Sequence, residues 1–167
     1  MATSAGDIGG ILTCLAEQSR RPRYAFMVLN LISEVADERG TAGPFIARGA
    51  MAVPIREWLC EQLMPLSSRE DRRRRLRAAV EDALAERKGG EAAPDPAQVE
   101  RAVHERALAV GKTNVSRAVS ELVRAGLLRR HYAGWRKDHA NRGGGRHAVY
   151  TVSAEALGAL RRSARLG

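Results

Sequence analysis

Residues 108–128, LAVGKTNVSRAVSELVRAGLL, constrain the fold more than any other stretch of this 167-residue chain. Val115, Val119, Leu122 and Val123 recur at i, i+4, i+7 and i+8. That spacing predicts a helix over 112–125 with one apolar face. The residues before it read as the end of another helix and a tight turn. Gly126 reads as a helix stop, and Leu127 and Leu128 open an extended run. The expected order is therefore helix, turn, helix, strand.

The charge of the chain is distributed unevenly. Residues 101–167 carry 14 Lys/Arg against 4 Asp/Glu, whereas residues 1–100 carry 14 against 15. The whole formal excess of +9 thus lies in the part that holds the helix pair. A basic segment of this kind favours a polyanionic partner.

The polar face of the 112–125 helix has the side chains that duplex DNA requires. Lys112, Thr113, Ser116, Arg117 and Ser120 share it, with Arg124 further along, and Asn114 is counted with them. Arg and Lys bond guanine N7 and O6 or a phosphate, while Ser and Thr let the backbone approach closely. Lys112 and Thr113 are expected at the helix N-terminus, where backbone N–H groups and the dipole favour phosphate.

Residues 127–135 and 146–152 read as two strands, the second alternating His147, Val149 and Thr151 with Ala148, Tyr150 and Val152. The polar, glycine-rich RKDHANRGGG between them makes a hairpin with a long tip. Arg136, Lys137, Arg142 and Arg146 on that hairpin are placed to reach the minor groove or adjacent phosphates. Trp135 at its base is expected to pack. Ser153 caps a last helix with Leu157 and Leu160 on its apolar side.

The rest of the chain reads as helical. Ile8, Ile11, Leu12 and Leu15 predict a helix over 7–18. Tyr24, Met27, Val28, Leu31, Ile32 and Val35 form a wide stripe on a helix over 24–38, and this is the candidate dimerisation surface. Residues 41–53 are expected to be an ordered connection. Pro54 is expected in the first turn of a helix whose face is Ile55, Trp58, Leu59 and Leu63, ending at Met64 and Pro65. Ser67 and Glu70 form a capping box for the next helix, whose core face is Leu76, Val80, Ala83 and Leu84. Arg72 to Arg75 point around the whole cylinder, which favours a solvated face over a groove contact. Residues 88–96 look like a linker, and Asp95, Pro96 and Gln98 restart a helix through Val99, Val103 and Ala107. The expected division is a helical region over 1–88, a linker over 89–95 and a DNA-binding domain over 96–167.

The run NVSRAVSELVRAGLL, preceded by LAVGKT, resembles the helix-turn-helix of bacterial winged-helix regulators, the Crp and MarR families among them. The hairpin and RHAVYTVSAEAL resemble the wing and the helix after it. The resemblance covers residues 108–152 and the start of that last helix. It implies a mainly α fold with a small β-hairpin wing, and base contacts by Lys112, Thr113, Ser116 and Arg117. It also implies backbone contacts by the wing cations. Ala109 replaces the usual turn glycine and Gly111 the usual capping serine, and the long C-terminal dimerisation helices of the MarR family are absent.

Other chemistry finds little support. His131, His139 and His147 recur every eight residues, a spacing that shares no face, with no cysteine nearby to complete a metal site. Gly143 to Gly145 lack the setting of a phosphate-cradling loop. No nucleophile–base pair or carboxylate cluster points to an enzyme, and no cofactor is expected. Cys14 and Cys60 are isolated, as in a reduced cytosolic protein. No apolar run approaches the roughly 18 residues of a membrane span. The expectation is a cytoplasmic, nucleoid-associated, sequence-specific duplex-DNA-binding protein, a bacterial transcriptional regulator acting as a homodimer. A plasmid or phage replication or partition factor, or a winged-helix protein-interaction module, are the alternatives.

Overall fold

The computed structural model of the protein describes residues 6–67, 70–87, 89, 95–133 and 146–167, with backbone alone for 65–67 and 70–73. It is mainly helical with two small antiparallel sheets. The chain forms two compact units, Met1–Leu59 with Val115–Gly167, and Cys60–Asn114. The boundary expected near the 89–95 linker is not the one found. Residues before Cys60 fold together with the C-terminal part.

In the first unit, α1 (Ile8–Gln18) starts where the Asp7 carboxylate accepts a hydrogen bond of 2.6 Å from the Gly10 N–H. Such a cap satisfies one of the free N–H groups of the first turn. Pro22 opens α2 (Pro22–Val35), its fixed φ suited to a first helical position. Gly40 then turns the chain with φ of +83° into the short strand β1 (Thr41–Ala42). The segment expected to be a plain connection contains a hairpin, β2 (Phe45–Arg48) and β3 (Met51–Pro54). Its two turn residues are Gly49 and Ala50, and Gly49 supplies the positive φ that a tight hairpin needs.

Pro54 is the last strand residue rather than a helical one, and α3 (Ile55–Ser67) runs on through Pro65. Two long helices follow, α4 (Glu70–Arg87) and α5 (Pro96–Arg124). The chain closes with β4 (Leu128–Ala133), β5 (His147–Val152) and α6 (Ala154–Ala164). Ser153 caps α6 by accepting from the Ala156 N–H at 3.3 Å. The capping box expected at Ser67 and Glu70 lies outside the described side chains.

The main sheet has the order β1-β5-β4 and is antiparallel throughout. Thr41 faces Thr151, while Leu128 faces Val152 and Ala133 faces His147. In β5, Ala148, Val149, Tyr150 and Val152 are all buried, in place of the expected alternation, so both faces of this strand are covered here. β1 covers its free edge and α2 packs against it.

Part of the stripe on α2 is covered within the chain. Val28, Leu29 and Ile32 expose no surface, because α1, α6, β1 and β5 cover them within the chain. Each such burial stabilises the fold by about 1.5–3 kcal/mol. Tyr24, Met27, Leu31 and Val35 of the same stripe remain half-buried. Trp58, expected in the core, is half-buried, while Ile55 and Leu59 beside it are buried.

The second unit has its own cluster. Val80 of α4 packs with Val99 and Val103 of α5, flanked by Leu76, Leu84 and Ala102. Arg77 on α4 pairs with Glu81 at 3.3 Å and with Glu100 of α5 at 2.6 Å. All three side chains are about half exposed, so these pairs add at most about 1 kcal/mol each. Arg74 and Arg75 are exposed. Among the described residues, no helix is long and apolar enough to cross a membrane.

Candidate nucleic-acid interface

The C-terminal half of α5 is held by its cap and by its neighbours in the first unit. The Gly126 N–H donates to Val123 O at 3.1 Å and the Leu127 N–H to Leu122 O at 3.0 Å. This crossed pair, with Gly126 at φ of +73°, is a Schellman ending. Leu127 is buried immediately after it, which fixes the exit into β4. The Glu121 carboxylate takes the Ser19 hydroxyl and, at 3.4 Å, the Arg20 backbone N–H. The turn between α1 and α2 is thereby tied to α5. The Cys14 thiol adds a weak contact to Ala125 O at 3.8 Å.

The inner face of this half-helix is Val115, Ala118, Val119 and Leu122. Val123, expected on that face, is 36% exposed, and the small Ala118 occupies the inner position instead. Outward, Arg117 and Arg124 are exposed, and Ser116 and Ser120 are half-buried. Among the described residues, Arg117 and Arg124 form no ion pair. Arg56 of α3 donates through Nη2 to the Ser116 hydroxyl at 2.8 Å. Arg56 was not a sequence candidate, since nothing local links residues 60 positions apart.

The expected turn at 109–111 is absent. α5 is one 29-residue helix, about 43 Å long, and Gly111 sits inside it without a positive φ. A Cβ at Gly111 would lie 3.4 Å from Cys60 Cβ, so this glycine marks a close helix approach within the second unit rather than a turn. Lys112 and Thr113 consequently do not stand at a helix N-terminus, and their backbone amides belong to the helix ladder. Lys112 and Asn114 are half-buried, and Thr113 is exposed with its hydroxyl donating to Ala109 O at 3.2 Å.

On the hairpin, Arg129, Arg130, His131 and Tyr132 of β4 are exposed, with the Arg130 guanidinium 5.9 Å from the Tyr132 ring centre. Charged side chains on this edge strand also discourage pairing with other chains. Arg146, just before β5, is exposed. Arg136, Lys137 and Arg142 lie outside the described residues, as do Trp135, His139 and Gly143 to Gly145. Further exposed cations missed in the sequence are Arg20, Arg21 and Arg23 at the α1–α2 junction, which the Glu121 contacts bring to α5.

The electrostatics follow the units. The first unit carries 17 Lys/Arg against 9 Asp/Glu, and the second 11 against 10. Nearly all of the excess positive charge thus belongs to the unit that holds the Arg117 face and the β4–β5 hairpin. Among the described residues, no three His, Cys, Asp or Glu side chains group closely enough to hold a metal ion. Comparison with protein-family models, with curated proteins and with solved structures finds no match to this chain.

Proposed function

We propose that this protein binds double-stranded DNA as a winged-helix protein. In this reading the C-terminal half of α5 enters the major groove and the β4–β5 hairpin lies along the backbone as a wing. The observation that supports it is a sheet ordered β1-β5-β4, with α2 before β1 and α5 before β4, which is compatible with a winged helix into which β2, β3 and α4 are inserted. The exposed Arg117 and Arg124 on the outer face of α5, and the +8 balance of 17 against 9 charges on that unit, suit a polyanion. In this reading the groove-entering helix is the C-terminal end of the continuous α5, with no turn at 109–111.

The role that best suits such a module is a cytoplasmic regulator of transcription. A symmetric operator would require a dimer, with reading helices one DNA turn, roughly 34 Å, apart. Fluorescence anisotropy with labelled duplexes, random and selected from genomic fragments, tests the proposal. Binding that weakens steeply with salt, and is tighter for selected fragments, supports it. Absence of any duplex binding at low ionic strength rejects it.

A further inference from the structure

Resting on the duplex-binding reading, we infer that the β2–β3 hairpin is a second DNA-contacting arm, one that sets Met51 against the bases from the minor groove. The hairpin carries two of the larger exposed apolar side chains of the first unit, Phe45 at 46% and Met51 at 73%. Met51 lies directly opposite Arg48, at the turn. On the same face of the ribbon are Ile46 and Val53, both half-buried. The rest of the tip is Ala47, Gly49, Ala50 and Ala52, so it is thin and free of bulk.

Its root is fixed on the side of the candidate interface by three contacts. The Phe45 ring lies 4.6 Å from the His147 ring, at the first residue of β5. The Ile55 N–H donates to Pro44 O at 3.0 Å, closing the base of the hairpin. One residue further, Arg56 holds the Ser116 hydroxyl on α5. The hairpin therefore springs from between the tip-proximal end of the β4–β5 ladder and Ser116 on the reading helix.

Charge decides the occupant. From Arg39 to Arg56 there is no Asp or Glu, and there is none in β4 or β5. A thin apolar tip flanked by cations fits the narrow minor groove, where apolar wedges enter base steps and bend the duplex. An apolar protein surface would gain from Phe45 and Met51 but would leave the surrounding cations uncompensated.

The test uses the full chain and duplexes that it selects from genomic fragments, labelled at both ends to report bending by energy transfer. Met51→Ala is the informative variant, because a side chain so exposed contributes little to the fold. Arg117→Ala is the control for the reading helix. With its thermal transition unchanged, Met51→Ala is expected to lose affinity roughly tenfold, the lower end of what burying a methionine provides. It is also expected to reduce the bend, and a minor-groove-filling drug is expected to compete with the wild-type protein. If wild type binds and Arg117→Ala weakens it, but Met51→Ala keeps both affinity and bend, the arm is not a DNA contact and the duplex-binding reading stands. If Met51→Ala instead dissociates an oligomer without changing the bend, the hairpin is a protein contact and the inference is overturned. If wild type binds no duplex, the functional reading itself fails, and the arm with it.

Discussion

At the scale of the residue, glycines and one carboxylate do most to shape the interface. Gly43 has φ of +97°, and a Cβ there would meet Ala148 O at 3.0 Å and Ile55 Cγ2 at 3.2 Å. Both the dihedral and the space require glycine at the point where the chain leaves β1 beside β5. Gly43→Ala is expected to destabilise the protein by about 1–3 kcal/mol, read as a lower urea midpoint with unchanged slope. Glu121 is an acidic residue on a cationic helix, yet its contacts to Ser19 and Arg20 hold the α1–α2 turn against α5. In the proposed reading, the exposed Arg117 is the residue that reads a base. Arg117→Ala is expected to weaken a selected site by about 1–3 kcal/mol more than it weakens random duplex. Arg146→Ala is expected to weaken both alike and to flatten the salt dependence. Equal losses on both DNAs for Arg117→Ala would assign it to the backbone instead.

At the scale of the element, the decisive feature is the continuity of α5. Ala109 is exposed and lies mid-helix, so a proline there removes a ladder hydrogen bond and strains the preceding turn without disturbing a core. Ala109→Pro is expected to cost about 3 kcal/mol in chemical denaturation, whereas a true turn at 109–111 would tolerate it. The sequence was readable at several helix ends set by local chemistry: Asp95 with Pro96, Gly126 and Ser153 mark ends that the structure has, although Pro54 does not start a helix. It was not readable where partners are remote. β1 is two residues long and exists by pairing with β5, 110 positions away at Thr41 and Thr151. Val149 is buried as well, on the face of β5 that alternation assigned to the surface together with His147 and Thr151. Gly111 was ambiguous in another way. The residue type suits a turn, and only the nearness of Cys60 shows why a helix keeps it.

At the scale of the whole molecule, the apolar stripe of α2 illustrates how covering a helix changes its meaning. Its residues read as an interface for a second copy, and the chain itself covers part of them with α1, α6 and the sheet. The net positive charge lies on the same unit, which carries 17 of the 28 Lys and Arg. That distribution underlies the claim that this unit holds a duplex. The most direct test is the equilibrium affinity of the full chain for labelled duplex DNA across a salt series, with Arg117→Ala alongside. The account expects binding at low salt that falls about 10³-fold or more between 50 and 200 mM, as for six or more phosphate contacts, and a loss of preference for selected fragments in the variant. Binding that is absent at low salt, or unaffected by salt and by Arg117→Ala, would contradict it.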